Sequence, residues 1–386
     1  MPWVDENRLD DEGALQALDT RDSLRSLASA GAQVRRALVS AQEAGIERVS
    51  GGERPRSVLV AALGGSSLVC DVLDLLAEPG SPVPVLTRRD APLPGWVGPL
   101  DLVIAVSQSG RAAGPLALAA EAARRGASLL TVGSADSPLA DVSARARGVH
   151  VDVALSTPSS RTALWSLLTP VLLAADAMGL ARVPRTTLER VADVLDEVAE
   201  ECRPSSESFV NPAKALAVGL GETVPVVLGD GPLTGVAACR AASMMARTAR
   251  VPATHGALPD AASQVVATLD GPFGSGAPGG SGSGARGDDI FADPYLDGPA
   301  APRLGLLVLR DPDLDPQLRG LADAVVASAR ESGAVVLEQE ARTGEPIERL
   351  ASLVGLTDFA ATYLALGLGL DPSVSRHVTE LRDRTG

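Results

Sequence analysis

The sequence predicts an α/β protein of two doubly wound lobes, each with a parallel sheet flanked by helices. Between residues 57 and 155, short aliphatic runs alternate with helical patterns, which is typical of a parallel sheet. The runs at 57–63 and 102–106 show no polar alternation, as expected of strands buried on both faces. The same alternation begins again at residue 224, which indicates a second lobe of the same type.

The predicted elements follow one another along the chain. Residues 13–45 carry helical periodicity and predict an amino-terminal helical cap. Residues 161–220 indicate three helices, the last of which begins at Asn211-Pro212 with proline in its first turn. Between these stretches, the first lobe is predicted to have strands at 57–63, 83–86, 102–106 and 128–132 and helices at 67–77 and 114–125.

The second lobe is predicted to have strands at 224–229, 304–309 and 334–338, helices at 234–248 and 316–331, and a long helix ending near residue 370. A tract at about 270–302 is rich in Gly and Ser and too poor in apolar residues to offset its ordering entropy, so we expect a mobile insertion. The chain is therefore divided into a cap at 1–50, a first lobe at 51–160, a helical connector at 161–220 and a second lobe at 221–386.

Composition restricts the classes of partner. The net charge of −14 disfavours nucleic acid and anionic membranes, because both would repel the chain. The three cysteines have neither metal-ligand nor disulfide spacing, so we expect no metal, no cofactor and a cytoplasmic location. The amino terminus lacks the pattern of a secretory signal. The apolar stretch at 164–180 contains polar residues and a proline, which favours a buried helix over a membrane span.

Two loops of small residues lie between predicted strands and predicted helices. They are Gly64-Gly65-Ser66-Ser67 and Ser107-Gln108-Ser109-Gly110. At such junctions the unpaired amides of the next helix point outward, its dipole favours an anion, and serine hydroxyls add donors. Glycine lets the backbone approach a ligand closely. One such loop can be a simple turn, but two at equivalent positions of neighbouring units predict a phosphate-binding site.

Several short segments resemble, in the same order, the bifunctional phosphoglucose/phosphomannose isomerases, a branch of the SIS (sugar isomerase) fold. The resemblance runs nearly from end to end and rests on the shared order rather than on one specific motif. The segments are LGGSS at 63–67, LPGWV at 93–97, VIAVSQSG at 103–110, NPAK at 211–214, VPA at 251–253, LP at 258–259, LRDP at 309–312, YLA at 363–365 and GLDP at 369–372.

The resemblance implies a ligand, a set of contacts and an assembly. It implies that the phosphate of a sugar phosphate is held by Gly64, Gly65, Ser66, Ser67, Ser107, Ser109 and Gly110. It also places Arg161 in the substrate pocket, with a surface arginine at a helix start as the alternative. Arg111 stands where the family usually has asparagine, and Arg382 stands near a substrate-facing lysine; an arginine cannot give up a proton but can pair with phosphate. Relatives with two lobes form dimers, which implies a homodimer here.

The family's isomerases use a glutamate and a histidine to move a proton between C1 and C2 and to open the sugar ring. Alignment on the Val-Pro-Ala and Leu-Pro segments puts Arg247 at the glutamate position and Ser263 at the histidine position. Both proton-transfer groups are therefore missing. His255 and Asp260 lie in the same segment and are the candidates for a replacement acid and base, with a plain loop histidine as the alternative for His255.

Three functions remain open from the sequence. The first is a sugar-phosphate-binding protein with lost or altered catalysis, which is favoured because the loops keep their phosphate ligands while the proton-transfer groups are absent. The second is an active isomerase of glucose 6-phosphate and mannose 6-phosphate that uses His255 and Asp260. The third is a non-enzymatic structural protein in which the serine loops are only tight turns, since fold does not fix function.

Overall fold

The computed structural model describes residues 4–153, 159–274 and 303–385. In these residues, nine strands form two parallel sheets, one of five strands and one of four. Most of the predicted insertion at 270–302 lies outside the described residues. The strands are β1 Val58–Ala62, β2 Val85–Arg88, β3 Leu102–Ser107, β4 Ser128–Gly133, β5 Val149–Asp152, β6 Thr223–Gly229, β7 Thr254–Ala257, β8 Arg303–Arg310 and β9 Val335–Glu340.

Helices precede, connect and follow these strands. Several of them begin at a polar side chain that accepts a backbone amide of the first turn, as Asn211 and Asp315 do. A 3₁₀ turn lies at Gly64–Ser66 and a π-helical turn at Met245–Ala249. The helices are α1 Glu6–Leu9, α2 Glu12–Leu18, α3 Ser23–Ala28, α4 Ala30–Glu43, α5 Leu68–Ala77, α6 Ala113–Arg124, α7 Pro138–Arg145, α8 Leu164–Ala177, α9 Arg185–Glu201, α10 Pro212–Leu220, α11 Pro232–Met244, α12 Ala262–Leu269, α13 Pro316–Glu331, α14 Pro346–Gly367 and α15 Arg376–Thr385.

Contacts divide the chain into two compact units. The five-strand unit contains residues 25–197 and 344–351, and the four-strand unit contains residues 1–24, 198–343 and 352–386. Each unit has its own hydrophobic core of small aliphatic side chains. In the five-strand unit, β1, β3 and β4 pack against α6 and α7. In the four-strand unit, β6 and β8 pack against α12 and α13.

The predicted fold class is confirmed, with two parallel sheets flanked by helices. Some details differ from the prediction, and the helices α7 and α12 were not predicted. β2 begins at Val85 rather than at residue 83, because Val83 is held in a turn by hydrogen bonds with Ser81. The short strands β5 and β7 were not predicted, since neither carries a long apolar run. The division into cap, lobes and connector stays a prediction.

One described helix, Pro346–Gly367, is long and apolar enough to cross a membrane when only length and composition are considered. However, 94% of its most apolar window is buried inside the protein. The helix therefore has the surroundings of a core helix. The predicted buried helix at 164–180 is observed as α8, in which ten of the fourteen residues are buried.

Candidate phosphate-binding site

The sheet of the five-strand unit contains a point where the strand order reverses. All its strands are parallel and their order is β2-β1-β3-β4-β5. The chain therefore runs outward from β1 to β2 on one side and continues from β3 on the other. In doubly wound sheets the loops that leave two such strands separate at the carboxyl edge, and ligands bind in the crevice between them. Both serine loops leave the sheet at this switch point.

The register of β1 and β3 brings the two loops to the same level. Ala62 of β1 pairs with Val106 of β3. Gly64 and Gln108 each follow two residues later, and paired strands lie about 4.8 Å apart. The two loops therefore begin side by side at one edge of the sheet, as expected from the sequence.

The first loop packs against the segment that carries Arg161. Gly64 has a φ of +67°, and a Cβ atom added to Gly65 would lie 2.6 Å from Ser160 Oγ and 3.1 Å from the amide nitrogen of Arg161. Only glycine leaves room for this approach. Both the amide and Nε of Arg161 donate to Ser159 Oγ at 3.2 Å, and the residue is half-buried. Arg161 thus lies beside the first loop, and its place in a substrate pocket stays a prediction.

The second loop is held by the chain that follows β4. Gly110 has a φ of +62°, and a Cβ atom there would lie 2.1 Å from Ser137 Oγ. The carbonyl of Gly110 accepts from the amide of Leu139 at 3.2 Å, and the carbonyl of Gln108 accepts from the amide of Ser134 at 3.0 Å. These contacts fix the path of the backbone. Ser137 is a supporting residue that the sequence did not single out, because nothing local connects it to Gly110.

The four serines differ in what their hydroxyls can offer. Ser66 Oγ donates to the carbonyl of Leu63 at 3.0 Å and Ser67 Oγ to the carbonyl of Gly64 at 2.9 Å. Their protons are therefore engaged, and they would have to rotate before bonding an anion. Ser107 Oγ and Ser109 Oγ instead accept backbone amides, at 3.4 and 3.3 Å, and neither donates to another described residue, so their protons stay available to a ligand. Ser107 is buried and Ser109 is exposed, which favours the second loop as the hydroxyl donor.

Helix ends add further donors at the same edge. Within the described residues, neither α5 nor α6 has a side-chain hydrogen bond from its N-cap residue. The first-turn amides of these helices lack intrahelical acceptors and carry the positive end of the helix dipole. Arg111 directly precedes the N-cap of α6 and is exposed. Amides and hydroxyls together form the kind of site that binds a phosphate group.

The four-strand unit has a corresponding switch point, but a carboxylate fills it. Its strand order is β7-β6-β8-β9. Asp230, just after β6, is 1% exposed, and its two oxygens accept the amide of Asp311 at 3.1 Å, just after β8. Thr234 Oγ1 also donates to Asp230 at 2.9 Å. Burial raises the pKa of Asp230, and these hydrogen bonds oppose the rise. The donors here are satisfied by the protein's own anion.

The other predicted site residues lie in the four-strand unit. Arg247 is exposed in the π-helical turn, and its Nε donates to a serine hydroxyl at 3.0 Å. His255 is exposed on β7 rather than in a loop, because its segment becomes a strand by pairing with β6. Its role as a replacement acid or base stays a prediction. Asp260 is exposed after β7, and Ser263 is exposed in the first turn of α12. Arg382 belongs to α15, but its side chain lies outside the described residues.

A buried ion pair joins α11, the helix before the turn that carries Arg247, to α14. Arg240 Nε and Nη2 donate to the two oxygens of Asp358 at 3.0 and 2.8 Å, and both side chains are about 95% buried. Burial raises the pKa of Asp358 and the Arg240 cation opposes it. No local pattern predicts this pair, because its members are far apart in the chain. Among the described residues, no group of three or more His, Cys, Asp or Glu is arranged to hold a metal ion.

Comparisons with known proteins find a family and relatives that this chain is similar to. Residues 209–385 match the family described as the bacterial phospho-glucose isomerase C-terminal SIS domain. A bifunctional phosphoglucose/phosphomannose isomerase from Caldicellulosiruptor bescii is 28% identical over 196 residues, which are 51% of this chain and 57% of that protein. The chain thus matches little more than half the length of this relative.

Solved structures with related architecture cover nearly the whole chain. A glucosamine-6-phosphate deaminase from Thermotoga maritima has a TM-score of 0.62 at 12% identity, covering 92% of this chain and 97% of that one. A glucose-6-phosphate isomerase like protein from Thermus thermophilus has a TM-score of 0.56 at 20% identity, covering 97% and 98%. At these identities the likeness shows the fold alone.

Proposed function

We propose that this chain, which is similar to the SIS sugar isomerase family, binds the phosphate group of a phosphorylated sugar with its two serine loops. The observation that carries this proposal is the meeting of both loops at the β1/β3 switch point, where doubly wound sheets bind their ligands. In the resulting picture, Ser107 and Ser109 donate hydroxyl protons, the first turns of α5 and α6 supply amides, and Arg161 adds positive charge beside Gly65.

The protein is a SIS-domain, phosphosugar isomerase-like chain, and we propose that it binds its ligand without the family's usual proton transfer. The glutamate position holds Arg247, and a guanidinium cannot serve as a base. The histidine position holds Ser263, whose hydroxyl is a poor acid or base near neutral pH. Binding without isomerisation is the function that best suits this combination of residues.

Binding is tested by isothermal titration with glucose, mannose and fructose 6-phosphates. Ser109→Asp is expected to abolish the heat of binding, because a carboxylate then faces the phosphate. Ser205→Asp is the matched control, since Ser205 is an exposed serine of the four-strand unit. Equal binding by wild type and Ser109→Asp would show that the serine loops are not the phosphate site.

Catalysis is tested separately by incubating the protein with fructose 6-phosphate in D₂O and following the C2 proton by NMR. No exchange above the rate without protein is expected. Exchange that is lost in both His255→Gln and Asp260→Asn would instead support the second candidate, an isomerase with replacement acid and base residues. By the same likeness to the isomerases we propose a homodimer, for which light scattering should give twice the mass of the chain.

A further inference from the structure

We infer that Arg89 and Arg111 form a second anion-binding subsite beside the serine loops, for a sugar ligand that carries a second anionic group. The inference rests on the proposed function, because the subsite would hold another part of the same ligand. It goes beyond that function by assigning the ligand a class: a phosphosugar with a second phosphate or a carboxylate.

The sheet register places Arg89 at the edge where the serine loops lie. Arg88, the last residue of β2, pairs with Ala61 of β1. Arg89 therefore comes level with Ala62, two residues before Gly64. Along the carboxyl ends of β2, β1 and β3, the chain presents in turn Arg89, the first serine loop, and the second serine loop followed by Arg111. The two arginines thus flank the proposed phosphate site.

Packing places Arg89 close to the helix ends at this edge. A Cβ atom added to Gly114 would lie 2.3 Å from the carbonyl oxygen of Arg89, so the backbone of Arg89 rests on the first turn of α6. Gly114 is only three residues after Arg111. Burial raises the pKa of the Cys70 thiol to about 12, and the cation of Arg89 opposes this rise, which indicates that Arg89 also lies near the first turn of α5.

The side chains of these two arginines have no partner among the described residues of the protein. Both residues are exposed, and in the part of the chain that the structure describes their side chains make no hydrogen bond or ion pair. Two carboxylates, Asp71 and Asp90, lie at the same edge, and Asp90 accepts the amide of Ala91 at 2.8 Å. A single unpaired arginine on a surface does not indicate a binding site. Two that flank a phosphate site are suited to a second anion.

The chemistry of the guanidinium group defines the second group of the ligand. Sugar hydroxyls are neutral and need only hydroxyl or amide partners. A guanidinium presents a planar fork of donors that matches a phosphate or a carboxylate and stays charged at any physiological pH. A phosphosugar with one anionic group would leave both cations unused. A bisphosphorylated sugar or a phosphorylated sugar acid would engage them.

The test compares three ligands by isothermal titration: fructose 6-phosphate, fructose 1,6-bisphosphate and 6-phosphogluconate. The wild-type protein is expected to bind one of the doubly anionic ligands about tenfold more tightly than fructose 6-phosphate, as two solvent-exposed ion pairs would provide. Arg89→Gln and Arg111→Gln should each reduce this preference to about threefold. Arg145→Gln is the matched control, because Arg145 is an exposed arginine at the end of α7, away from the carboxyl edge.

The outcomes separate this inference from the proposed function. Tighter binding of the bisphosphate identifies a second phosphate, whereas tighter binding of 6-phosphogluconate identifies a carboxylate. If fructose 6-phosphate binds and neither doubly anionic ligand binds better, the subsite is refuted while the serine-loop site stands. A preference that survives in both arginine variants, or that Arg145→Gln lowers equally, refutes the assignment. If no ligand binds, the proposed function itself fails. Thermal unfolding of each variant checks that it is folded.

Discussion

Gly110→Ala is expected to destabilise the second serine loop through two separate effects. Gly110 has a φ of +62°, where a residue with a Cβ atom costs about 1–2 kcal/mol. The added Cβ would also lie 2.1 Å from Ser137 Oγ and 2.4 Å from Ser137 Cβ, so the neighbour must move. Overpacking of this kind costs about 1–3 kcal/mol. The sum is a loss of about 2–5 kcal/mol in the free energy of unfolding.

A double-mutant cycle with Ser137→Gly separates the two effects. Ser137 caps α7 by accepting the amide of Ala140 at 3.2 Å, and replacing such a cap by Gly costs only a few tenths of a kcal/mol. In the double variant the clash is gone, while the cost of the backbone conformation remains. The double variant should therefore be more stable than Gly110→Ala by about 1–2 kcal/mol.

The assay is urea unfolding followed by circular dichroism, together with titration of fructose 6-phosphate. Gly110→Ala should weaken ligand binding because it displaces the neighbouring Ser109, and Ser137→Gly should restore part of that binding. If Gly110→Ala is neutral, or if the two substitutions are simply additive in stability, then the close contact between Gly110 and Ser137 does not exist in solution.

Three further predictions concern buried charges. Arg240→Met leaves the carboxylate of Asp358 without its partner at 2.8 Å and should cost about 3–5 kcal/mol, whereas the double variant with Asp358→Leu should recover most of it; equal losses in urea unfolding would contradict this. Burial alone would raise the pKa of Asp101, but hydrogen bonds, led by those from Arg56, outweigh burial and lower it. Its contribution is therefore present above about pH 4 and is lost as the pH falls through the lowered pKa. Asp101→Asn should destabilise the protein at neutral pH and make little difference in strong acid. If urea unfolding gave the same stability difference between wild type and variant at every pH, the reasoning would be refuted. Lys214→Met leaves two backbone carbonyls, now bonded at 2.7 and 2.8 Å, without a donor and should cost about 2–4 kcal/mol; unchanged thermal stability would contradict this.

Elements with strong local patterns could be predicted from the sequence, and weak ones could not. The helix predicted at 316–331 is observed as Pro316–Glu331, because its apolar stripe and its proline at the first turn are local signals. The strand Thr254–Ala257 has no apolar run. It exists because the neighbouring β6 offers an unpaired edge, which is a property of the assembled sheet. Short edge strands depend on such partners rather than on their own sequence.

The features of the candidate phosphate site that depend on local sequence could also be predicted, and those that depend on distant residues could not. The small residues of the serine loops can be recognised in the sequence, and their meeting follows once the strand order is known. The direction of the hydroxyl protons could not be predicted, since it depends on which carbonyl lies nearest; Ser66 donates to Leu63, whereas Ser107 accepts from Ala112. The support of Gly110 by Ser137 depends on how the loop after β4 folds back over the loop after β3.

The two units share a strand order around the switch point, but the four-strand unit has the carboxylate of Asp230 where the five-strand unit has the serine loops. Substitutions of Asp230 test whether this carboxylate is structural. The amide of Asp311 and the hydroxyl of Thr234 are satisfied by the buried Asp230 carboxylate. Asp230→Ala removes this acceptor and should lower the free energy of unfolding by about 2–4 kcal/mol, while Asp230→Asn keeps one acceptor oxygen and should cost less. Neither change should alter the affinity for fructose 6-phosphate, because the proposed site lies in the five-strand unit. If Asp230→Ala weakened binding and left stability unchanged, Asp230 would be a ligand-binding group and the assignment of the phosphate to the serine loops alone would fall.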